Sequence, residues 1–226
     1  MSLVTDFLVD FVFPKRCVGC FQLETFLCRK CYGKMEFCEQ ICPVCFKLSL
    51  GGWTHERCKS QLDLDGLIAI WSYKNEVVRS VVEEIKFGFN RELIEIILRK
   101  FSFESGVVFD YLVPMPLHKY RENWRGFNQA ELIAFWIGKK MKVSVEKVLR
   151  RRRNTKQQAM IKRAVERKRN IRGAFSLGEN FSKKNLKGKK VLLVDDVFTS
   201  GESMRECAKI LKRNGVEKVW GLVLVR

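Results

Sequence analysis

Apolar and polar positions follow two different periods along most of the chain. Continuous or alternating apolar runs predict strands at 67–73, 111–113, 143–149, 191–194 and 219–225. Apolar residues at helical spacing predict helices at 76–87, 92–101, 129–140 and 203–214, and Gly215 stands where a helix-ending glycine is expected. Because strands and helices alternate, we predict an α/β fold with a mainly parallel sheet covered by helices on both faces.

The first 13 residues show a separate apolar pattern at helical spacing. It predicts a short amphipathic helix that ends before Pro14. A signal peptide or membrane anchor is the alternative, but Asp6 and Asp10 interrupt the apolar stretch and no small-residue cleavage site follows. No run of about 18 apolar residues occurs, so we predict no membrane insertion and expect a cytoplasmic protein.

The cysteines divide the chain into two parts. Eight of the nine lie in the first 60 residues, and Cys207 is the exception. A segment of this size has too little apolar mass to fold without cross-links or metal ions. We therefore predict a small N-terminal domain at 1–60, containing the short helix and the cysteines, and a larger domain at 61–226.

The spacing of these cysteines favours zinc. A Cys-x2-Cys turn delivers two thiolates to one tetrahedral ion, and two such turns complete a closed structural site. Disulfides are the alternative, but cytosolic thiols stay reduced. The first predicted zinc site is Cys17, Cys20, Cys28 and Cys31, and the second is Cys42, Cys45, His55 and Cys58. Cys38 is left over; it could replace His55, and an interleaved arrangement is also open.

The charge of the chain points to an anionic partner. Lys and Arg number 43 against 25 Asp and Glu, a formal net charge of +18, and 12 of these cations lie at 147–172 with only Glu166 as an acid. Nucleic acid, a phosphorylated small molecule or an acidic membrane surface would each fit. Four consecutive arginines at 150–153 are typical either of a solvated surface or of a nucleic-acid contact.

The segment 191–203 carries the most specific chemistry. A buried strand ends in Asp195 and Asp196, and a Thr-Ser-Gly-x-Ser loop then leads into a helix. Backbone N–H groups in such a loop can close on a phosphate, and adjacent carboxylates can hold ribose hydroxyls or Mg²⁺. A Walker B strand would need a GxxxxGK[ST] motif, which is absent, and a receiver domain would need about a hundred further residues. A simple acidic strand end would not explain the hydroxyl-rich loop.

This segment resembles the signature of the type I phosphoribosyltransferases, which bind 5-phosphoribosyl-1-pyrophosphate (PRPP). Nearly the whole chain, in order, is similar to the ComF family of competence-associated proteins. The motifs that carry this second resemblance are the paired cysteine knuckles, Val113–Leu117, Arg125–Gln129, Gln158, Arg169 and Asn170. The resemblance implies a type I phosphoribosyltransferase-like fold preceded by a small zinc-binding segment.

The resemblance also implies roles for individual residues. Asp195 and Asp196 would be the catalytic pair and hold the ribose hydroxyls and Mg²⁺. The phosphate- and ribose-binding residues would be Asp195, Asp196, Val197, Thr199, Ser200, Gly201, Glu202 and Ser203. The basic segment 147–172 occupies the place of a mobile lid over the diphosphate. The pyrophosphate loop and lid together would supply Pro116, Leu117, His118, Arg121, Arg125, Arg163 and Arg169.

Several alternatives stay open. His118 would serve as a structural or solvated residue more readily than as a catalyst. The polar residues 121–129 could contact pyrophosphate or simply cap a helix. At the level of function, one hypothesis is an enzyme that transfers phosphoribose from PRPP to an unidentified acceptor. The other, implied by the ComF resemblance, is a non-catalytic protein that handles single-stranded DNA in natural transformation, contacts the competence machinery and uses the pocket to sense a ligand.

Overall fold

The computed structural model describes residues 14–60, 63–88, 90–99, 101, 106–155, 161 and 163–226. The predicted N-terminal helix and Gln158 lie outside these residues. Among the described helices, none is long and apolar enough to cross a membrane.

The centre of the fold is a sheet of five parallel strands. These strands are β1 (Gly66–Trp71), β2 (Tyr111–Pro114), β3 (Ser144–Val145), β6 (Lys190–Val197) and β7 (Lys218–Val225). Their order across the sheet is β1-β7-β6-β2-β3, and a separate antiparallel pair is formed by β4 (Leu149–Arg151) and β5 (Phe175–Leu177). Residues 191–194 of β6 are fully buried, as the continuous apolar run predicts for a central parallel strand.

Helices cover both faces of the sheet, so the predicted fold class is confirmed. The helices are α1 (Arg29–Gly33), α2 (Glu76–Phe87), α3 (Arg91–Arg99), α4 (Lys119–Arg125), α5 (Gln129–Met141), α6 (Ala164–Ile171), α7 (Lys183–Leu186) and α8 (Glu202–Arg213). The buried stripes of α2, α3 and α5 share one core with alternate residues of the strands. The buried stripe of α8 packs on the opposite face, where Ile171 of α6, Leu186 of α7 and Phe175 of β5 complete a second core.

The structure differs from the predicted elements in the middle of the chain. The predicted strand 143–149 is two strands in different sheets: Ser144–Val145 pairs with β2, and Leu149–Arg151 turns away to pair with β5. Helices α4 and α6 and strand β5 were not predicted. No residue of α4 is buried, so its sequence carries no apolar period that would predict a helix.

The cysteine-rich segment covers the exposed edge of β1. The side-chain amide of Gln40 pairs with this edge, donating to Ala69 O at 2.8 Å and accepting from Ala69 N–H at 3.1 Å. Isolated bridges join Phe37 to Trp71 and Trp53 to Gly66 at the two ends of the strand. An open sheet edge invites pairing with other chains, and this segment closes it. The division at residue 60 stays a prediction.

Candidate functional site

A cleft of about 330 Å³ opens at the carboxyl ends of β2 and β6, the edge where parallel α/β sheets bind ligands. A chamber of about 80 Å³ adjoins it and shares Leu117, Arg125, Arg151, the acidic pair and Ser203 with the cleft wall. The remaining polar or charged residues around the main cleft are Tyr73, Glu83, Lys86, Arg121, Thr199, Ser200 and Glu202. The cleft therefore gathers an acidic pair, a hydroxyl-rich loop and a group of arginines around one cavity.

The acidic pair lies where β6 ends. Asp196 N–H donates to Asp195 Oδ1 at 2.9 Å, and Lys86 Nζ lies 3.6 Å from Asp196 Oδ2. Burial raises the pKa of Asp195 to about 8, and repulsion from Asp196 acts in the same direction. Two adjacent carboxylates facing a single lysine can take a hard divalent cation or the hydroxyls of a sugar, so the donor set fits Mg²⁺.

The loop after the acidic pair has the geometry of an anion cradle. Gly201 adopts φ of +72°, and a Cβ at this position would lie 2.4 Å from the ring of Phe198. Gly201, the N-cap residue, has no side chain to cap the N-terminus of α8. The Arg205 guanidinium holds the loop by donating to Ser200 O at 3.0 Å and to Glu202 Oε1 at 2.6 Å. The first-turn N–H groups of α8 lack intrahelical acceptors, and Ser200 Oγ is buried without a partner in the described part of the chain. These donors can bind a phosphate.

Three arginines line the cleft and give part of its wall a positive charge. Within the described residues, Arg121, Arg125 and Arg151 make no ion pair with a carboxylate, and the Nε atoms of Arg125 and Arg151 are buried without partners. The guanidinium groups of Arg121 and Arg151 donate to Thr155, and Arg125 Nη1 donates to Gln129 Oε1 at 3.1 Å.

The charge of these arginines is only partly compensated by the protein. Burial lowers the pKa of Arg151 to about 10, repulsion from Arg121 adds to the effect, and attraction to Asp195 partly opposes it. Burial and repulsion from Arg125 likewise lower the pKa of Arg121. Grouped cations without carboxylate partners are suited to a multiply charged anion such as a diphosphate.

The structure brings most of the predicted site residues together. The main cleft is lined by Leu117, Arg121, Arg125, Asp195, Asp196, Val197, Thr199, Ser200, Gly201, Glu202 and Ser203, and Pro116 lines the adjoining chamber. Three predicted residues line neither cavity. His118 caps α4 by accepting the Tyr120 N–H on Nδ1 at 3.3 Å, and Arg163 and Arg169 are exposed at α6.

Among the residues at 121–129, Asn128 has a capping role. Its Oδ1 accepts the Ala130 N–H at 3.1 Å at the start of α5, and its Nδ2 donates to Met115 O at 3.1 Å. Gln129 is buried beside Arg125 and reaches Ile85 O at 3.5 Å. These two residues therefore fix α5 and one arginine of the cleft wall, and both also line the adjoining chamber.

Sequence reasoning missed two cations of the cleft, Lys86 and Arg151. Arg151 was hidden within the arginine run, although alternation along β4 separates it from its neighbours: Leu149 is buried, Arg150 is exposed and Arg151 is half-buried. Lys86 gave no signal, because it lies in the last turn of an ordinary amphipathic helix and reaches Asp196 only through the fold.

Both predicted cysteine groups converge in space. One comprises Cys17, Cys20, Cys28 and Cys31, and the other Cys42, Cys45, His55 and Cys58; within each group the ligand atoms all lie within 4.8 Å of one another. Zn–S bonds of about 2.3 Å in a tetrahedral site place sulfurs at such separations, so both groups could hold zinc. Burial would raise the pKa of Cys17, but N–H donors from Cys28, Gly19 and Cys20 outweigh it and lower that pKa to about 6.

His55, not Cys38, completes the second group. His55 Nδ1 lies 3.3 Å from Cys45 Sγ, while Nε2 lies 3.0 Å from Leu48 O, so a proton on Nε2 leaves Nδ1 free as a ligand. Cys38 stands apart and accepts from Arg226 Nε at 3.2 Å. All nine cysteines are free thiols, and the two groups that converge in space have the members given for the two predicted sites.

The other described cations of the basic segment do not line the cleft. Arg150 pairs with Glu179, and Arg153 donates to Arg172 O at 2.6 Å. Arg152, Arg163, Lys168, Arg169 and Arg172 are exposed. The described part of the segment thus contains Arg151, which lines the cleft, and a group of exposed cations.

Comparisons with known proteins agree with this geometry. A family model described as the phosphoribosyl transferase domain matches residues 134–226, which include the acidic pair and its loop. The chain is 27% identical to Competence protein F of Haemophilus influenzae over 91% of this chain and 89% of that protein. It is 28% identical to Competence protein ComFC of Bacillus subtilis, over 84% and 79%, and 30% identical to DNA utilization protein YhgH of Escherichia coli K12, over 63% and 65%.

Proposed function

We propose that the chain is a ComF-type competence or DNA-utilisation protein with a phosphoribosyl transferase domain, and that its cleft binds PRPP together with Mg²⁺. The observation that carries the proposal is the convergence of three chemistries on one cavity: the loop 199–203, the acidic pair and the three arginines. PRPP carries a matching set of groups, namely a 5-phosphate, two ribose hydroxyls and a diphosphate.

Each group of the ligand has a counterpart in the chain. The N–H groups of the loop and the Ser200 hydroxyl would bind the 5-phosphate, and Asp195 and Asp196 would accept hydrogen bonds from the ribose hydroxyls. Arg121, Arg125 and Arg151 would neutralise the diphosphate, a group that leaves when phosphoribose is transferred. Mg²⁺, held near the acidic pair, would share this neutralisation. The residues of the chain thus position the donor and stabilise the leaving charge.

Calorimetric titration with PRPP in the presence of Mg²⁺ tests the binding. We expect saturable binding by the natural sequence and loss of most of the affinity in an Asp195→Asn, Asp196→Asn double variant. Asp110→Asn is the matched control, because this carboxylate accepts from Lys189 Nζ and from the Lys190 backbone N–H outside the cleft. Absence of binding by the natural sequence would refute the proposal.

Turnover is a separate question with its own assay. The protein is incubated with PRPP, Mg²⁺ and a panel of nucleobases and amines, and released pyrophosphate is measured. Release with any acceptor identifies a transferase. Clear PRPP binding without release for any acceptor would leave the ligand-binding proposal standing and count against an enzyme, in favour of a ligand-sensing pocket.

Binding of single-stranded DNA is the second candidate function. The solvent-facing cations Arg152, Arg163, Lys168, Arg169 and Arg172 favour it, because each could neutralise a phosphate without entering the cleft. Affinity for an oligonucleotide should fall steeply with salt, and an Arg152→Gln, Arg169→Gln variant should show both lower affinity and a shallower salt slope. Binding that ignores salt, or an unchanged slope in the variant, would contradict this function.

We propose zinc as the metal of both cysteine groups, with a structural role. Each group offers four ligand atoms and so leaves no open position for a substrate. The residues 1–60 would then form a zinc domain, and residues 61–226 would form the domain that binds PRPP.

A further inference from the structure

The two cysteine groups are built on the same local motif but use its aromatic residue differently. Each contains the sequence Cys-x2-Cys-Phe-x-Leu, and the phenylalanine, Phe21 or Phe46, has φ of +61° in both. The N–H of the first cysteine closes each turn in the same way, on Gln22 O at 2.8 Å and on Lys47 O at 2.9 Å. Phe21 is 71% exposed, whereas Phe46 is 42% exposed and packs one side of its ring against Phe198, with ring centroids 6.0 Å apart.

Phe198 connects this contact to the phosphate cradle. It follows β6 directly, its ring is buried, and its N–H donates to Val225 O at 2.9 Å. Its ring atoms lie so close beneath Gly201 that a Cβ there would approach three of them within 3.2 Å. Gly201, at the N-terminus of α8, therefore packs against the Phe198 ring, and that ring packs against Phe46.

Phe46 is itself held from two sides. It follows Cys45 immediately, and its N–H donates to Cys42 O at 3.0 Å, so two ligand positions of the second group fix its backbone. A positive φ is unfavourable for a phenylalanine and persists only where the surroundings impose it. The same segment is anchored to β1 through Gln40. The aromatic ring is thus presented to Phe198 from a rigid support.

We propose that Phe46 is a positioning residue for the phosphate loop, and that the second cysteine-histidine group sets the affinity of the cleft for the 5-phosphate through the Phe46–Phe198–Gly201 contact. This inference rests on the proposed function for its ligand. Packed cores respond to a lost support by discrete shifts, so removing the ring beneath Phe198 loosens the loop without altering the arginines of the cleft.

The matched pair Phe46→Ala and Phe21→Ala tests the proposal, because both remove the same ring from the same turn. Ribose 5-phosphate probes the loop, and inorganic pyrophosphate probes the arginines. We expect Phe46→Ala to weaken ribose 5-phosphate binding roughly five- to tenfold and to leave pyrophosphate binding within about twofold. Phe21→Ala should change neither, and metal content should be equal in both variants. A Phe46→Leu variant, which keeps an apolar contact, should restore most of the affinity and covers the case in which the alanine variant does not fold.

Hydrogen exchange gives a readout that needs no ligand. Amides at 199–204 should exchange faster in Phe46→Ala than in Phe21→Ala or the natural sequence. Equal effects of the two alanine variants on binding and exchange would overturn the proposal. If the natural sequence binds neither ribose 5-phosphate nor PRPP, the proposed function fails, while the exchange comparison still decides whether Phe46 supports the loop.

Discussion

Replacing Arg151 with methionine should stabilise the protein while it weakens anion binding. The guanidinium is charged in both the folded and the unfolded chain at neutral pH, and burial lowers its pKa to about 10, so its charge opposes folding throughout the range below that pH. The lowered pKa corresponds to at most about 3 kcal/mol, since the part of the side chain that faces the cleft is screened by water.

The substitution also removes favourable contacts of Arg151. Its guanidinium donates to Thr155 Oγ1 and lies 5.3 Å from the centre of the Phe175 ring. Together these contacts contribute about 1–2 kcal/mol, and methionine retains the apolar part of the packing. The balance is a gain of about 1 kcal/mol in the free energy of unfolding, or a rise in Tm of about 2–4 °C for a chain of this size.

Urea unfolding at pH 7.5 and low salt measures the change. Arg152→Met is the control, because this neighbouring side chain is exposed and should alter stability by less than about 0.5 kcal/mol. Added pyrophosphate should raise the Tm of the natural sequence and of the control more than that of Arg151→Met. A loss of more than about 1 kcal/mol in Arg151→Met would refute the reasoning, because it would mean that the protein compensates the buried charge.

Three further predictions follow from the site and its supports. Gly201→Ala should destabilise the protein by about 2–4 kcal/mol in urea unfolding, because the added methyl would overlap the Phe198 ring. Gly126→Ala is the control: its φ of +71° is similar but no atom lies near the added methyl, so it should cost only about 1 kcal/mol. Equal losses in the two variants would contradict the overlap. Metal analysis should find two zinc ions per chain in the natural sequence and in Cys38→Ser, and about one in His55→Ala. Loss of one ion in Cys38→Ser would show that Cys38, and not His55, is the fourth ligand of the second group. A hydrogen bond from the Lys190 backbone N–H lowers the pKa of Asp110, so the ionised carboxylate stabilises the folded chain. Asp110→Asn should therefore lower the free energy of unfolding by about 1–2 kcal/mol at pH 7, and by progressively less as the pH falls below about 4. A loss that stays constant with pH would contradict this.

The central part of the fold and the acidic half of the cleft follow from local sequence signals. The strand 191–194, the acidic pair and the loop to Ser203 are contiguous, so one short pattern contains a buried strand, the ligands after it and the start of α8. The cysteine groups were predictable for the same reason. Their ligands are close in sequence, and only the choice between His55 and Cys38 needed the three-dimensional arrangement.

The basic half of the cleft depends on contacts that no local pattern encodes. Lys86 reaches Asp196 from a helix 110 positions earlier in the chain, and Arg151 enters the cavity because β4 leaves the main sheet. The apolar stretch 143–149 could not reveal that change of sheet, since both parts of it are compatible with a strand. The family resemblance, which puts the basic segment in the place of a lid, predicts Arg163 and Arg169 near the diphosphate. Charge along the chain does not report which face of a helix meets the cleft, and both residues are exposed.

The order of the strands has a consequence for how the chain is made. Among the described strands β1 pairs only with β7, and Val219 N–H, which donates to the Asp65 side chain beside β1, lies 154 positions further along the chain. At ordinary translation rates β1 leaves the ribosome roughly 10–30 s before this partner exists. The cysteine-rich segment, which is synthesised first and pairs with the other side of β1 through Gln40, is already available during that interval. If the cysteine-rich segment needs a bound metal to fold, the metal supply during synthesis would determine whether it covers the edge of β1 before β7 is made. Zinc starvation during synthesis should then cause aggregation, and zinc added to the finished protein should not reverse it.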